Sequence, residues 1–156
     1  MSKKVDPRIE VARDVIKLLR EKRIVATTGV YFRAKLQRRL AKNKTVDVQE
    51  LLSSKQVTKC EVCAKGAMMV AHVMKHDNFN IKAYDGKSVV RTDGWSCIDP
   101  LLDTFSEAQL SAIEAAFECF DDNDWGTKYR DNDARLRAIM RRIIKNGGEF
   151  SASEQP

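Results

Sequence analysis

Residues 57–76 read VTKCEVCAKGAMMVAHVMKH, and the way this stretch folds decides the architecture of the chain. Thr58-x-x-Glu61 has the form of a capping box, in which a hydroxyl accepts the N–H three residues on and a carboxylate reaches back. Behind it, Cys60, Cys63, Ala64, Ala67, Ala71 and Met74 recur at spacings of three and four, the period of a helix face. The pattern predicts one continuous helix over 59–76. Its small residues, Ala64, Gly66, Ala67 and Ala71, would let another element approach the backbone. That accounts for a glycine that otherwise costs about 1 kcal/mol inside a helix.

Working outward, Asp6-Pro7 is an N-cap followed by proline at the first helical position, and Ile9, Ala12, Ile16 and Leu19 carry a helix to about Arg23. The segment IVATTGVYF (24–32) is β-branched and aromatic with a break at Gly29, and reads as a short strand or hairpin. RAKLQRRLAKN (33–43) has helix-forming composition with only Leu36 and Leu40 as an apolar seam, so a solvated basic helix or mobile arm is expected. Asp47-x-x-Glu50 opens a short helix, and Asp85-Gly86 marks a hairpin within 79–91. Asp99-Pro100 starts a further short helical turn. Ser106-x-x-Gln109, with Phe105 and Leu110 as its staple, opens a helix burying Leu110, Ile113, Ala116, Phe117 and Phe120. After a polar, acidic loop from Asp121 to Asp131, a last helix over 133–146 presents Leu136, Ile139, Met140, Ile143 and Ile144 and stops at Gly147. The expected fold is mainly α: a compact single-domain helical bundle of about five helices with a small β-hairpin or short strands. It spans 1–150, with a disordered tail at 151–156.

A chain of 156 residues suits one domain with a core that needs no staple. No apolar run approaches the roughly 18 residues of a membrane span. Lys3-Lys4 is not followed by an apolar region, so no signal peptide is expected. Four cysteines then imply reduced thiols and a cytoplasmic location. The net charge of +6 is unevenly spread, with basic residues crowding 1–44 and 134–145 and acidic ones 99–133. Such asymmetry can serve an anionic partner, self-association between opposite patches, or nothing beyond solubility.

Cys60-x-x-Cys63 is the first motif to test for chemistry. Zinc needs four ligands, and on one continuous helix His72 would stand about 18 Å from Cys60. His72 and His76 therefore cannot complete that site, and no strand suited to a thioredoxin-like motif precedes it. The cysteines read as packed thiols, with no metal and no cofactor expected. Cys60 near a helix N-terminus would have its thiol pKa lowered, which keeps a thiol-dependent enzyme as a second alternative. The loop after Asp121 lacks the ligand pattern of a calcium site. No phosphate loop, nucleophile elbow or zinc-protease motif occurs. Arg33, Lys35, Arg38, Arg39, Lys42 and Lys44, with Arg135, Arg137, Arg141, Arg142 and Lys145 of the last helix, form either solvated faces or a nucleic-acid surface. For the latter, Arg38, Arg39, Lys42, Arg141 and Arg142 are the candidates, and nearby stacking aromatics are limited to Tyr31 and Phe32.

Three segments carry a resemblance. They are CEVCAKGA (Cys60 to Ala67), Phe105 with Gln109, Leu110, Ile113, Glu114, Ala116, Phe117 and Glu118, and the run Arg135, Leu136, Ala138, Ile139, Met140, Ile143, Ile144, Asn146, Gly148 and Phe150. Across about half its length the chain resembles a family of small, functionally uncharacterised proteins of bacteria, phages and prophages. The resemblance implies a context: small phage proteins often act against host defences, as binders rather than enzymes, in the host cytoplasm. The expected function is thus a non-enzymatic accessory protein that sequesters a small anionic ligand, such as a nucleotide signal, or binds a host protein. Gly29, Tyr31, Arg33, Lys59 and Cys60 are its expected ligand residues, grouped where the residue 29–31 turn meets the N-terminus of the Cys60 helix. The first alternative is a nucleic-acid-binding protein using 33–44 and the last helix.

Overall fold

The computed structural model describes residues 3–38, 45–76, 80–82, 89–92, 99–118 and 123–156. The decisive stretch divides in two. Val57–Val62 is a strand, β4, and the helix, α3, begins only at Ala64 and runs to Val73. The apparent capping box is spent across a sheet instead. Thr58 Oγ1 donates to the Lys35 carbonyl at 3.2 Å, and the Glu61 carboxylate pairs with Arg33. Cys63 is the true N-cap, its Sγ accepting the Gly66 N–H at 3.5 Å.

What pulls 57–62 out of helix is its neighbour. Strand β2, Phe32–Leu36, pairs antiparallel with β4 from Phe32↔Val62 to Leu36↔Val57. The segment expected as a basic helix or arm therefore begins as a strand, with Phe32, Ala34 and Leu36 buried and Arg33 and Lys35 turned outward. Ladder pairing plus burial of one face outweighs helix propensity, which is a weak prior. Strand β1, Val25–Ala26, runs parallel to the other edge of β4, and β6, Val89–Thr92, lies antiparallel to β2, giving the order β1-β4-β2-β6. A second, two-stranded sheet joins β3, Thr45–Asp47, to β5, Asn80–Lys82. The two strands flanking Asp85-Gly86 thus pair into different sheets, and the turn itself lies outside the described residues. The fold is mixed α and β, and the expected mainly helical bundle is corrected accordingly.

The helices form where caps dictate. Asp6 accepts the Arg8 N–H at 2.9 Å to start α1, Pro7–Arg20. Asp47 accepts the Glu50 N–H at 2.9 Å ahead of α2, Val48–Ser53. Ser106 Oγ accepts the Gln109 N–H at 3.1 Å as α4, Glu107–Glu118, begins. Gln109 does not return the bond but donates to the Gly148 carbonyl at 2.6 Å, clamping the end of the last helix onto α4. The acidic loop contains a short helix, α5, Asp124–Lys128, with Trp125 buried. The last helix, α6, is Asn132–Lys145, capped by Asp131 and stopped at Gly147, where φ is +70°.

α1 packs on α6 and α3, and α3 on α4, so the core lies between the helices and the inner face of the four-stranded sheet. Residues 151–156, expected to hang free, are tied in: Trp125 Nε1 donates to the Glu154 carbonyl at 3.1 Å and Asn146 to its carboxylate at 2.9 Å. Among the described residues no helix is long and apolar enough to cross a membrane.

A tight junction lies at Gly66, where a Cβ would overlap the Tyr31 carbonyl. Gly66→Ala should therefore cost roughly 3 kcal/mol, the upper end for overpacking, because the obstructing group is backbone. Urea unfolding checks this; an unchanged midpoint would contradict the contact.

Candidate functional site

The five expected ligand residues do not converge. Gly29 and Tyr31 belong to a seam between the β1–β2 turn, the start of α3 and the end of α4. Gly29, at φ +74°, donates its N–H to both Glu118 carboxylate oxygens, at 2.9 and 3.1 Å. Lys65 Nζ lies 2.5 Å from Glu114 and 5.0 Å from the centre of the Tyr31 ring. Burial first, then a hydrogen bond to Glu114, pushes the Tyr31 hydroxyl above its usual range. The Glu118 carboxyl is likewise raised by burial, with the Gly29 N–H acting against the shift. Cys63 Sγ and oxygens of Glu114 and Glu118 stand within 4.8 Å of one another, a potential metal-ligand set. Its carboxylates already hold an ammonium and an N–H, so these groups satisfy each other and act as a structural tie. The anion expected beside this turn finds two carboxylates in its place.

Cys60 lies elsewhere, and its position corrects the expected chemistry. It sits inside β4 rather than at a helix N-terminus, so no helix dipole lowers its pKa. Burial, with the nearby Glu61 charge, pushes the thiol up to about 12. Burial does the same to Cys63, also to about 12. Both remain protonated at neutral pH, the opposite of the thiolate that attacks or ligates.

Lys59 and Cys60 do share a site, and it is a cavity. About 310 Å3 of space opens where β1 stops covering β4: the parallel pairing reaches only Glu61 and Val62, and residues 57–60 border the opening. Leu18 from α1, Ile24, Cys60, Val70 from α3 and Met74 just past its end are the apolar lining. Lys22 and Arg23 are exposed beside it, Lys59 borders it from the β4 edge with its ammonium on the outer face of the sheet at Glu61, and no acidic residue lines it among the described residues. Arg23 is positioned by a bond from Nη2 to the Leu52 carbonyl at 3.1 Å. Lys22 and Arg23 were not anticipated as site residues. The cue available was a basic pair directly after a helix whose end carries no glycine.

That missing glycine matters. The N–H groups of Lys22 and Arg23 bond the carbonyls of Leu19 and Leu18 at 3.1 and 3.0 Å, a Schellman ending of α1. Lys22 occupies the left-handed position at φ +57°, where glycine is usual and an L side chain costs about 1–2 kcal/mol. The strain sits at the cavity mouth.

Arg33 is on the outer face of β2, paired with Glu61. Of the nucleic-acid candidates, Arg38 is exposed just past β2, while Arg39 and Lys42 lie outside the described residues. On α6, Arg141 is exposed, but Arg142 lies 3.4 Å from the Glu154 carboxylate and 5.8 Å from the centre of the Trp125 ring. Arg135, read as surface, is buried and donates to the Phe117 and Tyr129 carbonyls, both at 2.7 Å. Phe32 is buried and Tyr31 half-buried, so neither offers an open face for a base to stack on.

No protein-family model, no curated protein and no solved structure matches the chain.

With both thiols buried and protonated, native protein at neutral pH should react with a thiol reagent at Cys60 and Cys63 only on the timescale of unfolding. Elemental analysis should find no stoichiometric zinc. Rapid labelling of either residue, or one zinc per chain, would overturn the assignment of these cysteines to the core.

Proposed function

We propose that the protein is a non-enzymatic binder of a small anionic ligand with an apolar or aromatic body, such as a nucleotide, held in the cavity beside β4. One observation carries this reading: the cavity is lined by apolar residues together with three basic ones, Lys22, Arg23 and Lys59, and by no acidic residue among the described residues. Its volume falls at the lower end of small-molecule sites, about 300–1,000 Å3, which combine apolar walls with a few placed polar groups. The strain at Lys22 supports it, since a costly backbone conformation at a pocket mouth fits a side chain retained for contact rather than for folding. Lys59 and Cys60 keep their expected place in this site, while Gly29 and Tyr31 leave it. A role as a phage-type accessory protein that sequesters such a ligand rests on the resemblance alone. The nucleic-acid alternative is less favoured because Arg135 and Arg142 are engaged within the fold.

Calorimetric titration and thermal shift with linear and cyclic nucleotides test the proposal. Binding should weaken about tenfold in Lys59→Ala, the scale of one charge-assisted contact, and decline with salt. Lys22→Gly separates strain from contact: it should raise unfolding free energy by about 0.5–1 kcal/mol while weakening the ligand. No heat and no thermal shift across the panel would sink the reading. So would an affinity that both substitutions leave unchanged.

A further inference from the structure

The chemistry of the anion follows from what surrounds Lys59 on its other side, given the cavity reading on which this step rests. On the open face of the sheet, Arg33 and Lys35 of β2 and Lys59 of β4 gather around one carboxylate, Glu61, whose side chain is only 5% exposed. Arg33 takes Oε2, while Lys35 Nζ and Lys59 Nζ both stand at Oε1, at 3.4 and 3.5 Å. Burial alone would raise the Glu61 carboxyl, yet the Arg33 hydrogen bond and the surrounding cations hold it below its ordinary value. It is therefore ionised, and it still balances only one of three positive charges.

The register sharpens the imbalance. Lys35 and Lys59 are direct cross-strand partners, and like charges directly opposite one another destabilise a sheet. Each ammonium has three donors and, among the described residues, makes one long contact, so both strands have donors to spare beside Glu61. Both lysine side chains are 47% exposed. Arg33 Nε, in the same cluster, is buried and has no hydrogen-bond partner, the one such side-chain atom among the described residues. A single carboxylate would match one ammonium. A phosphate, with more than one negative charge and three oxygens, matches two.

We infer that the ligand is phosphorylated, its phosphate bridging Lys35 and Lys59 while its body passes over the β4 edge into the cavity that Lys59 also lines. Glu61 Oε1 holds both ammonium groups beside one oxygen, and Lys35, which is not part of the cavity lining, belongs to the site through this phosphate alone. A nucleic-acid backbone or free phosphate would present the same group without a body fitted to the cavity.

The test compares the common ribonucleosides with their 5′-monophosphates by calorimetry, with inorganic phosphate and a single-stranded oligonucleotide alongside, on the native chain and on Lys35→Ala. Lys35→Ala removes one of two like charges, so its melting temperature should not fall. The monophosphate should bind the native chain about tenfold more tightly than its nucleoside, and most of that gain should vanish in Lys35→Ala. A phosphate that adds as much in the variant would overturn the phosphate seat and leave the cavity reading intact, whereas nucleosides that bind as tightly as their monophosphates would overturn the seat and the anionic character of the ligand together. Binding by no probe at all would remove both. Inorganic phosphate or the oligonucleotide binding as tightly as the best monophosphate would overturn the joined ligand, since the cavity would then contribute nothing.

Discussion

Everything else in the fold depends on the absence of a side chain at residue 66. The Tyr31 carbonyl occupies the place where a Cβ would be, so the connection from β1 to β2 lies directly against the first turn of α3. With that contact made, β2 emerges alongside residues 57–62 and claims them as a strand. The helix can then start only after the chain has left the sheet, at Cys63. The same seam is closed a second time by Glu118 on the Gly29 N–H and by Lys65 on Glu114. Gly66 thus serves a loop, while the helix it belongs to still packs on α1 and α4 as its small residues suggest.

The short first strand follows from this arrangement and creates the cavity. β1 has two residues and reaches only the end of β4, because the chain arriving from α1 must turn sharply through Lys22 to get there. The uncovered edge of β4 is where apolar core and solvent meet without a strand between them. Basic residues from the turn and from β4 border that gap through geometry that already serves the fold.

Helices bounded by local chemistry were legible in the chain. Asp6, Asp47 and Ser106 cap the helices they announce, and Gly147 ends the last one, because each of those bonds is made within four residues. The strand at 57–62 was not legible, since its capping residues and its apolar spacing also satisfy a helix, and the partner that decides between them, residues 32–36, lies more than twenty positions away. Those partner residues were disguised in turn: their strict alternation of buried and exposed positions was outweighed by the basic, helix-forming run that follows. Gln109 shows the same limit on a smaller scale, with its N–H capped as its spacing implies and its side chain recruited by Gly148, just past the end of another helix. Within the candidate site, Lys59 and Cys60 were found through a helix N-terminus that does not exist. Lys22 and Arg23 were passed over because a lysine in a left-handed conformation leaves no mark in composition or period.

The central claim is that an anionic ligand occupies the gap between residues 22–25 and 57–60. Mapping amide chemical-shift changes by NMR, as 5′-nucleotide is titrated into isotopically labelled protein, tests it most directly. The account predicts saturable changes concentrated at residues 22–25, at 57–60 and at Lys35. Changes centred on the residue 29–31 turn or on the basic side of α6, or no saturable change at all, would contradict it.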